Sequence, residues 1–173
     1  MCIRDRHIVN LGKTGLIFIY DELVADEPVN WNYLLHTTAN PMTVNKSNNR
    51  FVHIQATNRG GASDAYLFST GTLQTDTTSR FFYPAVNWLR ADDKGVFKKY
   101  PNHWHFSSTT VPCKTARFLT VMDTHGDNRP DMQVVRKGNI IQVGDWTITC
   151  NLTEKGKAAI HVSNKVEKVS LNY

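Results

Sequence analysis

The chain has 173 residues, 40% of them hydrophobic and 20% charged, enough apolar material for one folded core and not the composition of a disordered chain. Lysine and arginine outnumber the carboxylates 20 to 15, for a net charge of +5. The excess favours an anionic partner, an acidic polysaccharide or nucleic acid, yet no cationic run is longer than Lys98-Lys99. No apolar stretch reaches membrane-span length, and residues 1–6 carry no signal-peptide core.

His7–Leu11 and Leu16–Asp26 are β-rich runs joined by Gly12-Lys-Thr-Gly15, a spacing that predicts a hairpin. A strand starting near residue 7 suggests entry partway through a larger sheet. Glu27-Pro28 interrupts the run. Asn30–Thr38 alternates, with Trp31, Tyr33 and Leu35 on one face and Leu34, His36 and Thr38 on the other. Residues 40–50 read as a polar connection. Phe51–Thr57 and Asp64–Thr70 read as partners across an Asn58–Gly61 turn.

Residues 71–100 are less regular, with Pro84 inside the aromatic run Phe81–Leu89. They read as an excursion over the sheet, either a binding loop or a flap on the core. A strand from His103, a corner at Pro112-Cys113, a strand over Thr115–Asp123 and a loop over Thr124–Asp131 follow. Short β-branched runs with glycine turns then form a meander to Leu171. The sum is about eleven strands without an amphipathic helix, an all-β antiparallel β-sandwich in one domain over residues 1–173.

Chemistry concentrates in Lys98-Lys-Tyr-Pro-Asn-His-Trp-His-Phe106. On a strand, His103 and His105 share one face, while Trp104 and Phe106 take the other and can pack inward. Neutral imidazoles two apart can share a metal or touch a substrate. The cupin pattern needs a glutamate four residues beyond the pair, where Thr109 stands. The bland alternative is two histidines on a solvated strand face. A lone His36 is ordinarily a rim or core residue, and His53, His125 and His161 read as surface or packing residues.

Asp123, Asp127 and Asp131 could hold calcium, but their spacing is not that of an EF-hand, and turn-forming carboxylates explain them equally. Trp31, Tyr33, Tyr83, Trp88 and Trp104 could stack on sugars; the alternative for Trp31 and Trp104 is a core position. Cys2, Cys113 and Cys150 exclude a zinc ribbon and a dense disulfide framework, leaving a Cys113–Cys150 bridge or free buried thiols. Asn45 and Asn151 begin glycosylation sequons, a pattern short enough to arise by chance. Serine-protease-type triads, phosphate loops and dinucleotide fingerprints are missing from the sequence.

Arg6-His-Ile-Val-Asn-Leu, Ile19-Tyr-Asp-Glu-Leu-Val-Ala-Asp, Trp31-Asn-Tyr-Leu-Leu-His36, Tyr100-Pro-Asn-His-Trp-His-Phe106 and Ala116-Arg-Phe-Leu-Thr-Val-Met122 stand in one order. In that order and spacing they resemble the β-sandwich region of heparinase II/III-like polysaccharide lyases, from about residue 6 to the end. The first five residues do not. The resemblance implies a parent enzyme that cleaves acidic polysaccharide by β-elimination, with an N-terminal α/α toroid supplying most of the acid–base residues.

No segment here resembles the toroid, so the resemblance implies a C-terminal fragment, inactive alone, of a secreted or periplasmic bacterial enzyme. It implies a sandwich zinc in the intact parent with His36 as the later ligand; the upstream His and Asp ligands are not matched. Acidic polysaccharide and the toroid are the implied partners, without nucleic acid or a membrane span. Lys98, Lys99, His103, Trp104 and His105 are the expected glycan contacts. The rival is a free-standing carbohydrate-binding or cell-surface β-sandwich, which predicts an exposed aromatic platform and a sheet with no open edge. The lyase reading predicts an exposed apolar or unpaired edge near residues 7–24. A self-contained metal enzyme on His103 and His105 would need a third converging ligand.

Overall fold

A computed structural model describes residues 2–37, 40–79, 90–91, 97–98, 103–126, 132–166 and 169–172. In chain order the strands are β1 Cys2–Asn10, β2 Leu16–Val29, β3 Asn32–Thr37, β4 Met42–Asn48, β5 Phe51–Asn58, β6 Gly61–Ser69, β7 Leu73–Thr78 and β8 Arg90–Ala91. Then come β9 Phe97–Lys98, β10 Trp104–Thr110, β11 Cys113–Gly126, β12 Val134–Lys137, β13 Ile140–Val143, β14 Trp146–Cys150, β15 Ile160–Asn164 and β16 Val169–Asn172. Every pairing among the described residues is antiparallel. The all-β expectation holds, and no α-helix occurs among the described residues.

A central sheet runs β1-β2-β11-β6-β5-β4. Its middle strands are buried on both faces, which is why their sequences are long apolar runs rather than clean alternations. The pleat sorts those runs. Leu16, Phe18 and Tyr20 of β2, Leu119 and Val121 of β11, and Tyr66 and Phe68 of β6 face one way. There they meet Ile141, Trp146, Ile148, Ile160 and Val162 of the five-stranded meander β12-β13-β14-β15-β16.

Leu23, Phe118, Leu67, Val52 and Ile54 face the other way. They meet Tyr33, Leu73 and Phe106 of a three-stranded sheet, β3-β10-β7. The sandwich therefore has three layers, with two separate apolar cores on opposite faces of the central sheet. Cys113 packs at one core and Cys150 lies in the other, and both are free thiols. Of the two alternatives left by the sequence, the disulfide is thus not the one formed.

Several boundaries differ from expectation. Residues 42–48, read as connection, form β4, and residues 73–78, read as excursion, form β7. Both are sheet-edge strands that bury little more than Met42 and Leu73, so their sequences are polar. Pro28 does not end β2; the pairing with β11 instead slips between Cys113 and Thr115, a bulge that absorbs it. β11 continues to Gly126, so Asp123 is a buried strand residue rather than part of a calcium loop; Asp127 and Asp131 lie outside the described residues. The aromatic run with Tyr83 and Trp88 also lies outside them.

The β1–β2 hairpin closes through a 3-10 turn, Gly12–Thr14, capped by Gly15 at φ +76°. A Cβ on Gly15 would fall 2.2 Å from the Thr124 carbonyl oxygen, and the Thr124 N–H donates to the Gly15 carbonyl at 3.0 Å. Gly15→Ala is therefore expected to cost about 2 kcal/mol or more, since the clash adds to the positive-φ penalty. Urea denaturation measures it; a cost under about 0.5 kcal/mol would mean the turn relaxes freely.

Candidate functional site

The outer face of the three-stranded sheet brings together two of the histidines singled out in the sequence, His36 and His105. In antiparallel pairs, directly opposed residues share a face. Trp104 and Phe106 turn inward, Phe106 fully buried and Trp104 packed against the same core. His105 therefore turns outward, with His36 opposite it on β3 and Thr78 opposite it on β7. The next outward row is Leu34, Ser107 and Asp76, and the one after is Asn32, Thr109 and Gln74.

The His36 and His105 rings meet edge to face, with centroids 4.2 Å apart. Burial, then the neighbouring His36 and His103, push the His105 pKa below the ordinary histidine value. His105 is accordingly neutral near pH 7, with its Nε2 buried and the rest of its ring half-buried at the outer face. His36 and His103 are exposed beside it. The result is a polar row three strands wide, His36 and Asp76 exposed and Thr78, His105 and Ser107 half-buried, that can meet sugar hydroxyls, with Asp76 as its nearby negative charge.

The other predicted contacts are distributed differently. Trp104 belongs to the core side, so it is not a free stacking platform. Trp31 is likewise partly buried, its indole N–H donating to the Cys113 carbonyl at 3.2 Å. Lys98 lies on β9, paired with Arg90, while Lys99 lies outside the described residues. Among the described residues, the exposed large hydrophobic side chains are all aliphatic.

The resemblance implies zinc only in the intact parent, with His36 as the later ligand. His36 has histidine neighbours, but among the described residues no group of three or more His, Cys, Asp or Glu side chains could hold a metal ion. Tyr20 is equally unsuited to acid–base work. Its hydroxyl is buried and donates to the Asn151 carbonyl at 2.8 Å, and burial pushes its pKa up to about 12.

A second cluster was missed by sequence reasoning. Asp64, fully buried on β6, accepts from His53 Nε2 at 2.6 Å, His125 Nε2 at 2.9 Å and Gln55 Nε2 at 3.1 Å. His53 stacks on Tyr66 with centroids 4.3 Å apart. The two histidines are thus internal partners of a buried carboxylate, not independent surface residues. His161 also has a partner, Asn172 on the neighbouring β16. The signal for the Asp64 cluster was Asp64 itself, a carboxylate next to the apolar run Ala65–Phe68, which requires partners to be buried. Comparison of the chain with protein-family models and with curated proteins gave no match.

Proposed function

We propose that this chain is the β-sandwich portion of a heparinase II/III-like polysaccharide lyase, supporting the catalytic cleft and contacting acidic glycan without catalysing elimination itself. The observation that carries the glycan contact is the outward row of His36, His105 and Thr78, with His103 beside it. Order and spacing of the sequence motifs support the family. The central sheet supports the docking role: β1 is its edge strand, and Ile8 on β1 is 60% exposed, within the segment expected to meet the rest of such an enzyme. A zinc in the intact parent would have to draw ligands from outside those residues.

Acid–base elimination needs both proton-transfer groups within hydrogen-bond reach of one substrate. The described residues offer a hydrogen-bonding face, and the proposed role stops at binding. Titration calorimetry with a uronate polysaccharide and a neutral glucan tests it. The acidic polymer should bind and the neutral one should not, and His36→Ala with His105→Ala should weaken binding about tenfold or more. Equal binding of both polymers, or an unchanged double variant, would remove the proposal.

The pH dependence has a defined sign. A bound carboxylate favours protonated imidazole, whereas without ligand burial and the neighbouring His36 and His103 hold His105 below the usual histidine value. Affinity should therefore rise as pH falls from neutrality through the lower part of the histidine range. A flat profile across pH 5 to 8, the span in which histidine ordinarily titrates, would exclude His105 as a carboxylate contact.

A further inference from the structure

The three-stranded sheet covers only part of the central sheet, and β1 and the neighbouring part of β2 extend past its edge strand β3. A groove of about 630 Å³ lies there. Ile19, Leu23, Phe118 and Met122 contribute apolar lining, Trp31 and Tyr33 line it from the β3 side, and Arg4 and Arg6 reach it from β1.

The register explains the arginines. Arg6 is opposite Asp21 and Arg4 is opposite Leu23, so both point to the side that the small sheet leaves open. Asp21 is almost wholly buried and is held by Arg6 in a two-bond fork, Nε to Oδ1 at 2.5 Å and Nη2 to Oδ2 at 2.9 Å. Arg4 Nε stands 3.9 Å from the same Oδ1, beyond hydrogen-bond distance, and its side chain is 55% exposed. One carboxylate thus faces two guanidinium groups. Arg6 is pre-oriented by its fork, with donors to spare, and Arg4 is half-exposed beside it.

We propose that this groove binds a carboxylate carried on a sugar-sized ring, the carboxylate between Arg4 and Arg6 and the ring's apolar side along Trp31 and Tyr33. The charge balance calls for one incoming anion, and the fixed Arg6 fork lowers the ordering cost of receiving it. The groove is separate from the histidine row, which lies on the other face of β3. Identifying the ring as a uronate unit rests on the glycan reading above; the carboxylate site does not.

Amide and arginine Nε NMR titrations of the full chain with glucuronate, glucose and acetate test this. Glucuronate should shift Arg4, Arg6 and Trp31 signals, glucose should not, and acetate should act at the same arginines more weakly. Arg4→Ala should reduce glucuronate affinity about tenfold while leaving thermal stability unchanged, because Arg4 is exposed. Equal responses to glucuronate and glucose, or an Arg4→Ala chain that binds as well as the parent, would overturn the proposal. So would concentration-dependent shifts of the same residues without ligand, which would place a second copy in the groove. Glucuronate in the groove without polymer on the histidine face would leave this site standing and remove the glycan reading; the reverse pattern would do the opposite.

Discussion

Arg117→Ala is expected to cost about 3–5 kcal/mol, the range for breaking a buried charge pair by removing one partner. Arg117 is 2% exposed at the centre of β11. Its Nε and Nη2 donate to Glu22 Oε1 at 2.9 and 2.6 Å. Nη1 donates to the carbonyls of Thr153 and Lys155 at 2.6 and 3.3 Å, and Nη2 to that of Gly156 at 2.6 Å. One guanidinium therefore ties the central sheet to the β14–β15 loop, and alanine strands a carboxylate and three carbonyls together. Lysine should restore only part of the loss, since a compact ammonium cannot span the fork and the loop at once. Arg117→Met with Glu22→Leu should cost less than Arg117→Ala, because no charge is left unpaired. Urea denaturation gives all three values. A loss under about 1 kcal/mol for alanine would mean that the loop does not depend on this anchor.

The second large effect is expected at Asp64. Asp64→Ala should cost about 3 kcal/mol or more, by leaving the polar atoms of His53, His125 and Gln55 without their common acceptor. Burial pushes the carboxyl pKa up, but hydrogen bonds from His125, His53 and Gln55 more than offset it and hold it below the ordinary value. His125 has an oxygen acceptor at each ring nitrogen, Asp64 Oδ2 at 2.9 Å and the Gly126 carbonyl at 3.0 Å, and a doubly protonated ring satisfies both. Asp123, directly opposite on β11 and also buried, adds a second carboxyl group nearby.

The sign follows from the depressed pKa. The carboxylate's contribution is complete above the unfolded aspartate value near 4 and is lost as pH falls through the lower folded value. The stability gap between the parent and Asp64→Asn should thus shrink as pH falls below about 4. Denaturation at pH 5 and pH 3, with the histidines protonated at both, decides it. A gap that widens in acid would contradict the ionised-carboxylate arrangement.

How much was legible can be stated residue by residue. The β5–β6 hairpin was, because two β-rich runs flank a turn in which Arg59 and Gly60 both take positive φ. β2, β6 and β11 were legible as strands, but their burial on both faces hides which residues go to which core, so the third layer was not visible. β4 and β7 were hidden for the opposite reason, being too polar to signal a strand. The inward turn of Trp104 and Phe106 followed from alternation alone. The meeting of His36 with His105 did not: the two lie 69 positions apart (105 minus 36), and only the β3–β10 register joins them. The same holds for His53, Asp64 and His125, and for Arg6 with Asp21. Periodicity assigns a face within one strand, whereas a site built across strands depends on register, which short degenerate runs do not encode.

The most direct test is a residue-resolved NMR titration of the chain with a uronate oligosaccharide. Besides those at Arg4, Arg6 and Trp31, shifts should appear at His36, His105, Thr78 and Ser107 on the outer face of the three-stranded sheet, and should be missing with a neutral oligosaccharide of equal length. Shifts confined to the outer meander β12–β16, or no response at saturating oligosaccharide, would contradict a glycan-contacting sandwich.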